Sequence, residues 1–294
     1  FEGIPPVKGR RGARSRDAGG QMALGLEGAA STTSAPDDHN PLLTAVKHWG
    51  NWVLEAARKE LAEFYPPDPD GSIPVGYIWA RTIPCQNPGC GAAIPLMRQF
   101  WLAKKAKKRV ALYPEPRPAP HAADRHGAPG LAFRVVGDGY DPWPEGFDPG
   151  AGTVARAVAT CPCCGGAVDA NTTRRLFRAG EAGQRMVAVV LAHPKRRGKT
   201  YRVATAADEV MYGAAEAALS AKRDRLMLEW GIDPVPDETL PLMSGVFNVP
   251  IYGMNTWGAL FNARQRLALI TFADEVRRAH ARMLRADGCL WELS

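Results

Sequence analysis

The chain runs to 294 residues, 46% hydrophobic and 23% charged, a length and composition that fit one large or two modest globular domains and exclude a low-complexity or fibrous protein. No run of eighteen apolar residues and no secretory apolar region occurs, which argues against a membrane span and for a reducing cytoplasm. The net charge of +7 tilts toward a polyanionic partner without requiring one.

Residues 1–39 read as a flexible linker. Lys8 to Arg16 is basic and glycine-rich, and Ser31 to Asp38 is polar without periodicity. Order is expected from Asn40-Pro41, a favoured cap followed by a residue tolerated in the first helical turn. Leu42, Val46, Trp49, Val53, Ala57, Leu61 and Phe64 then recur at helical spacing, and Pro66 to Gly71 ends the helix. In Pro74 to Ile83 the alternation of Val75, Tyr77 and Trp79 predicts a strand, so 40–80 forms a helix-and-strand unit.

Two cysteine pairs dominate the region 81–170: Cys85-Gln86-Asn87-Pro88-Gly89-Cys90-Gly91 and Cys161-Pro162-Cys163-Cys164-Gly165. Each ends in glycine, which lets the backbone take φ > 0 and turn N–H groups toward sulfur. Two such hooks with C-x4-C and C-x2-C spacing predict one closed, structural Zn²⁺ site on Cys85, Cys90, Cys161 and Cys164. Free thiols or disulfides are the alternatives, and a redox role for Cys161-Pro162-Cys163-Cys164 is a more remote one. Cys163 would sit inside its turn and point elsewhere; Cys289 reads as an ordinary thiol. A closed site leaves no position for an activating water.

Between the hooks, short strands are expected near Arg109–Tyr113, Leu131–Val136 and Thr153–Thr160, a β-rich insertion interrupted by a proline-rich loop that holds His121 and His126. The run Lys104, Lys105, Lys107, Lys108 and Arg109 could neutralise phosphates, with Phe100 and Trp101 available for stacking. Equally, it could be a solvated turn whose aromatics belong to the core. In 171–250, Gln184–Ala192 and Tyr201–Ala204 predict a hairpin around Lys195, Arg196, Arg197 and Lys199. A helix follows from the capping box Thr205…Asp208 toward Trp230. The final segment, 251–294, opens with an aromatic, glycine-rich loop in which Tyr252, Asn255 and Trp257 form either a pocket wall or a packed junction. Its helix starts at Asn262 with Gln265 three residues on, and Leu267, Ile270, Ala273, Val276 and Met283 form the apolar stripe. The fold class expected is α+β, with long amphipathic helices and short antiparallel strands around a zinc ribbon split by the insertion.

Leu43-Thr44-Ala45-Val46-Lys47-His48-Trp49-Gly50, Ile78-Trp79-Ala80-Arg81-Thr82, the two hooks, Tyr252 to Gly258 and Phe261 to Gln265 together resemble one family. It is the adenine-specific DNA methylases that contain a zinc ribbon, and the likeness covers about 41–283. Membership implies transfer of a methyl group from S-adenosylmethionine to the N6 of adenine in DNA. That chemistry uses a glycine-rich cofactor loop and a D/N-P-P-Y/F/W tetrapeptide. Neither motif stands here: Asn248-Val249-Pro250-Ile251-Tyr252 and Asp141-Pro142-Trp143-Pro144 lack the paired prolines. The resemblance therefore implies the middle segment of such an enzyme, partnered by DNA and by a flanking methylase domain or subunit, with S-adenosylmethionine bound only by the intact enzyme. The rival expectation is a zinc-stabilised protein-interaction module that touches no nucleic acid.

Overall fold

The computed structural model describes residues 41–117, 130–241 and 248–288. The linker expected at 1–39, His121, His126 and Cys289 lie outside them. Helix α1 (Pro41–Leu61) leads through a 3₁₀ turn into β1 (Ile73–Pro84), and β2 (Ala93–Leu96) folds back on it. The insertion supplies β3 (Trp101–Lys105), β4 (Lys108–Arg117) and β5 (Gly130–Gly137). Three very short strands follow: β6 (Val154–Ala155), β7 (Val158–Thr160) and β8 (Ala167–Val168). Next come α2 (Ala170–Arg178), β9 (Gly183–Ala192), β10 (Lys199–Val203), α3 (Ala206–Trp230) and α4 (Ala263–Gly288).

The class is α+β, and all three sheets are built from antiparallel ladders. The central sheet has the order β10-β9-β1-β2, the insertion forms β3-β4-β5, and β6-β7-β8 makes a third small sheet. Alternation on the central sheet divides its burial between two layers. Tyr77, Trp79, Met186, Val189 and Leu191 pack with Leu219, Leu226, Leu267 and Ile270 of the helices. On the opposite face Ile78, Ala80, Val187 and Ala188 meet Leu112, Phe133 and Val135 of the insertion. Val187 and Ala188 share a face because the ladder slips between Ile78 and Trp79, leaving Val187 as the extra residue of a bulge.

Both predicted caps form. Thr205 and Asp208 close a reciprocal box at α3, which ends on Gly231 in the left-handed region. Asn262 and Gln265 exchange side-chain and backbone hydrogen bonds at α4.

Other expectations need correction. Several strands are longer than expected: β1 spans 12 residues, β4 and β9 10 each. Thr153–Thr160 is not one strand, because Arg156 and Ala157 adopt φ of 49° and 64° and fold it into a β6–β7 hairpin. The α1 stripe is buried only toward its C-terminal end, at Ala57 and Leu61, while Leu42 and Val46 are exposed.

The α4 stripe holds at Leu267 and Ile270 and then departs from expectation. Ala273 and Val276 face solvent, whereas Thr271, Asp274 and Glu275 are buried. Asp274 accepts ion pairs from Lys222 at 3.2 Å, Arg225 at 2.9 Å and Arg278 at 3.4 Å, and Lys222 also pairs with Glu60 of α1. A charged network therefore fixes how α1, α3 and α4 meet.

Candidate metal centre and basic face

Each cysteine hook is the tip of a β-hairpin. Pro84 pairs with Ala93 where β1 turns into β2, and the Cys85 N–H donates to the Ala92 carbonyl at 2.8 Å. Within the tip, the Cys90 N–H reaches the Asn87 carbonyl at 2.9 Å, and Gly91 takes a φ of 61°. The second tip repeats the plan. Thr160 pairs with Ala167, the Cys161 N–H donates to the Gly166 carbonyl at 2.8 Å, and Gly165 sits at φ 72°. A Cβ at either glycine would force a left-handed conformation that L-residues adopt only at a cost.

The fold brings the two tips face to face. The sulfurs of Cys85, Cys90, Cys161 and Cys164 all lie within 4.8 Å of one another. Cys85 Sγ is 3.6 Å from Cys164 Sγ, and Cys90 Sγ is 3.8 Å from Cys161 Sγ. A tetrahedral metal ion with thiolate bonds of about 2.3 Å sets its ligand sulfurs about 3.8 Å apart, whereas a disulfide needs about 2.0 Å. The arrangement fits one four-coordinate ion and no disulfide.

Thiol chemistry around the cluster is asymmetric. Burial pushes the Cys85 thiol up to about 12, while the Gly166 N–H, 3.4 Å from the Cys164 sulfur, draws that thiol down to about 7. Metal binding must displace the remaining protons, so it is coupled to pH. Cys163 takes no part. Its sulfur lies 3.7 Å from the Gly130 carbonyl, and burial holds its thiol near 11. Ile83, Ile94, Ala159, Val168 and Leu176 pack around the ligands, Leu176 being contributed by α2.

The short helix α2 went unforeseen, although Asp169 marks its start: the carboxylate accepts from the N–H groups of Asn171 and Thr172. Arg174, Arg175 and Arg178 line a cleft of about 460 Å³ beside it. Arg178 donates to the Ile251 carbonyl at 3.0 Å, and Tyr252 meets Phe177 edge-on at 5.4 Å between ring centres. The Tyr252–Trp257 loop is thus docked on α2 at one end. At the other it is laced to 236–240: the Leu240 N–H donates to the Asn255 carbonyl and the Trp257 N–H to the Glu238 carbonyl. Asn255 and Trp257 are exposed.

The basic run after the first hook forms the β3–β4 hairpin, with Lys105 paired to Lys108 across its turn. Lys104, Lys105, Lys107 and Arg109 are exposed. Phe100 belongs to the core between the two large sheets and offers no stacking surface. Trp101 is half-buried, with the Lys104 ammonium 5.5 Å and the Arg109 guanidinium 5.2 Å from its ring centre. The second basic turn, Lys195 to Lys199, joins β9 to β10. Lys108 Nζ donates to the Lys199 carbonyl and sits 5.5 Å over the Tyr201 ring. Two basic hairpins far apart in sequence therefore stand side by side. Acidic neighbours are present too: Asp138 accepts from the Arg109 N–H at 2.8 Å, and Asp138 and Asp141 line a second cleft together with Arg109.

No protein-family model, curated protein or solved structure matches the chain. Among the described residues no helix is long and apolar enough to cross a membrane.

Proposed function

We propose that this chain is the zinc-ribbon, DNA-contacting segment of an S-adenosylmethionine-dependent N6-adenine DNA methyltransferase, and that it performs no methyl transfer alone. The observation that carries DNA contact is the Lys108–Lys199 hydrogen bond, which joins the two basic hairpins into one exposed face. Lys104, Lys105, Lys107, Lys108 and Arg109 from one hairpin and Lys195, Arg196 and Arg197 from the other would neutralise backbone phosphates there. An all-sulfur donor set with near-tetrahedral spacing favours Zn²⁺ over hard cations, and a closed site of this kind gives structure rather than reactivity. The ion would then hold the base of the insertion that carries the first hairpin. The methyltransferase assignment rests on the sequence resemblance; the cofactor would bind to a flanking domain of the intact cytoplasmic enzyme.

Duplex binding measured across a salt series tests the reading. With about six phosphate contacts, log K should fall against log salt with a slope near −5. Charge reversal of Lys104, Lys105, Lys107 and Lys108 to Glu should flatten that slope and weaken binding by orders of magnitude, on the order of 100-fold. Binding that ignores both salt and charge reversal contradicts DNA contact, and absence of binding would favour the protein-interaction module. Methylation of DNA by the isolated chain would overturn the noncatalytic assignment.

A further inference from the structure

Remote from the cysteines, one arginine is buried with two of its guanidinium nitrogens unpartnered. Arg264, the second residue of α4, is 4% exposed, and its Nε and Nη1 atoms reach no acceptor among the described residues. Its guanidinium is caged by three tyrosines, 4.3 Å from the ring centre of Tyr77, 5.1 Å from Tyr65 and 5.9 Å from Tyr212. Ring faces make burial of the charge tolerable, yet they do not replace the acceptors a guanidinium fork is shaped for.

Arg264 lines a cavity of about 390 Å³. Pro66, Pro67, Pro69, Tyr77, Ala207 and Met211 give it largely apolar walls. The other charges in the cavity are already engaged. Arg202 donates to Asp68 at 2.7 and 2.9 Å and to Asp208 at 2.5 and 2.8 Å. That trio carries one surplus negative charge, which Arg264 balances across the cavity without touching it. The first turns of α3 and α4 also border the site, each adding a partial positive charge of about half a unit.

We propose that this cavity is a binding site for a small organic monocarboxylate with an apolar body. One guanidinium free of any carboxylate among the described residues and two helix starts suit a single negative charge. A dianion such as inorganic phosphate would instead face the surplus charge of Asp68 and Asp208. The proline, tyrosine and methionine walls would cover the ligand's apolar part, and the guanidinium would take its carboxylate in charge-assisted hydrogen bonds. The site is independent of the metal centre and of the basic face.

Ligand-observed NMR titration of the full chain with acetate, benzoate and 3-phenylpropionate, each against its neutral amide, tests the proposal. At least one acid should bind saturably and outbind its amide by about tenfold, the worth of one charge-assisted hydrogen bond. Arg264→Met should erase that preference. Ala207 is exposed at the cavity rim, so Ala207→Phe should block binding by about tenfold or more without altering the melting temperature, which keeps the test valid if Arg264→Met fails to fold. The proposal is wrong if no acid saturates, if amides bind as well as acids, or if Ala207→Phe binds like the parent chain.

Discussion

Around the four cysteines, order depends on the last residues of β1, four strands of two to four residues, one nine-residue helix and a handful of small apolar side chains. In the helical layer, α3 and α4 run for 25 and 26 residues and bury Tyr212, Leu219, Leu226, Leu267 and Ile270 against a continuous sheet. The first region's own hairpins are short, and isolated hairpins of that length are marginal in water. The second adds a charged network that fixes helix register. One chain thus combines a part that an ion on four clustered cysteines would hold together with a part whose shape depends on burial.

Stripping the metal should separate the two parts most sharply. Structural zinc in small sites contributes on the order of 10 kcal/mol, so chelation under reducing conditions should collapse amide exchange protection in 85–94 and 159–177. Protection across 212–226 and 263–271 should survive. Simultaneous loss in both stretches would show that the helical layer also depends on the ion.

Asp274→Asn probes the opposite side. Its carboxylate is buried among Lys222, Arg225 and Arg278, and leaving those cations without their shared partner should cost about 3 kcal/mol in global stability. Metal affinity should be unchanged. The same carboxylate predicts a pH effect. Burial alone would raise its pKa, but hydrogen bonds from Arg225 and Lys222 outweigh burial and hold it below the usual carboxylate range. A depressed folded pKa means the stabilisation is complete above about pH 4 and is lost as pH falls through the folded value. Acid titration of parent and Asn variant should therefore converge at low pH; parallel curves would remove Asp274 from the network.

Gly165→Ala carries the smallest expected effect. At φ 72° an alanine should cost about 1 kcal/mol, read as weaker metal affinity with an unaltered melt of the helical layer. An equal loss at both places would contradict the division.

How much of this was legible depended on whether the deciding contacts were local. Thr205 with Asp208 and Asn262 with Gln265 announce their caps within four residues, and the glycine-ended hooks announce theirs within seven. Strands β1, β4, β5 and β9 show in their runs of β-branched and aromatic residues. Helix α2 did not show: Ala170 to Arg178 has only Leu176 and Thr173 buried, so its apolar pattern is too sparse to register, and Asp169 was the one available sign. Burial of Asp274 in place of Ala273 and Val276 is decided largely by Lys222 and Arg225 of α3, while Glu275 pairs with Arg278 of its own helix. The meeting of Lys108 with Lys199 is likewise a product of sheet packing. The burial of Arg264 beside a helix cap is also decided by Tyr65, Tyr77 and Tyr212, which reach it from elsewhere in the chain.

Metal content of the reduced, folded chain, measured by mass spectrometry beside Cys161→Ser, bears most directly on the cysteine cluster. One zinc ion per parent chain and a marked deficit in the variant are expected. A metal-free parent chain, or a serine variant that retains its full complement, would contradict a single ion held by Cys85, Cys90, Cys161 and Cys164.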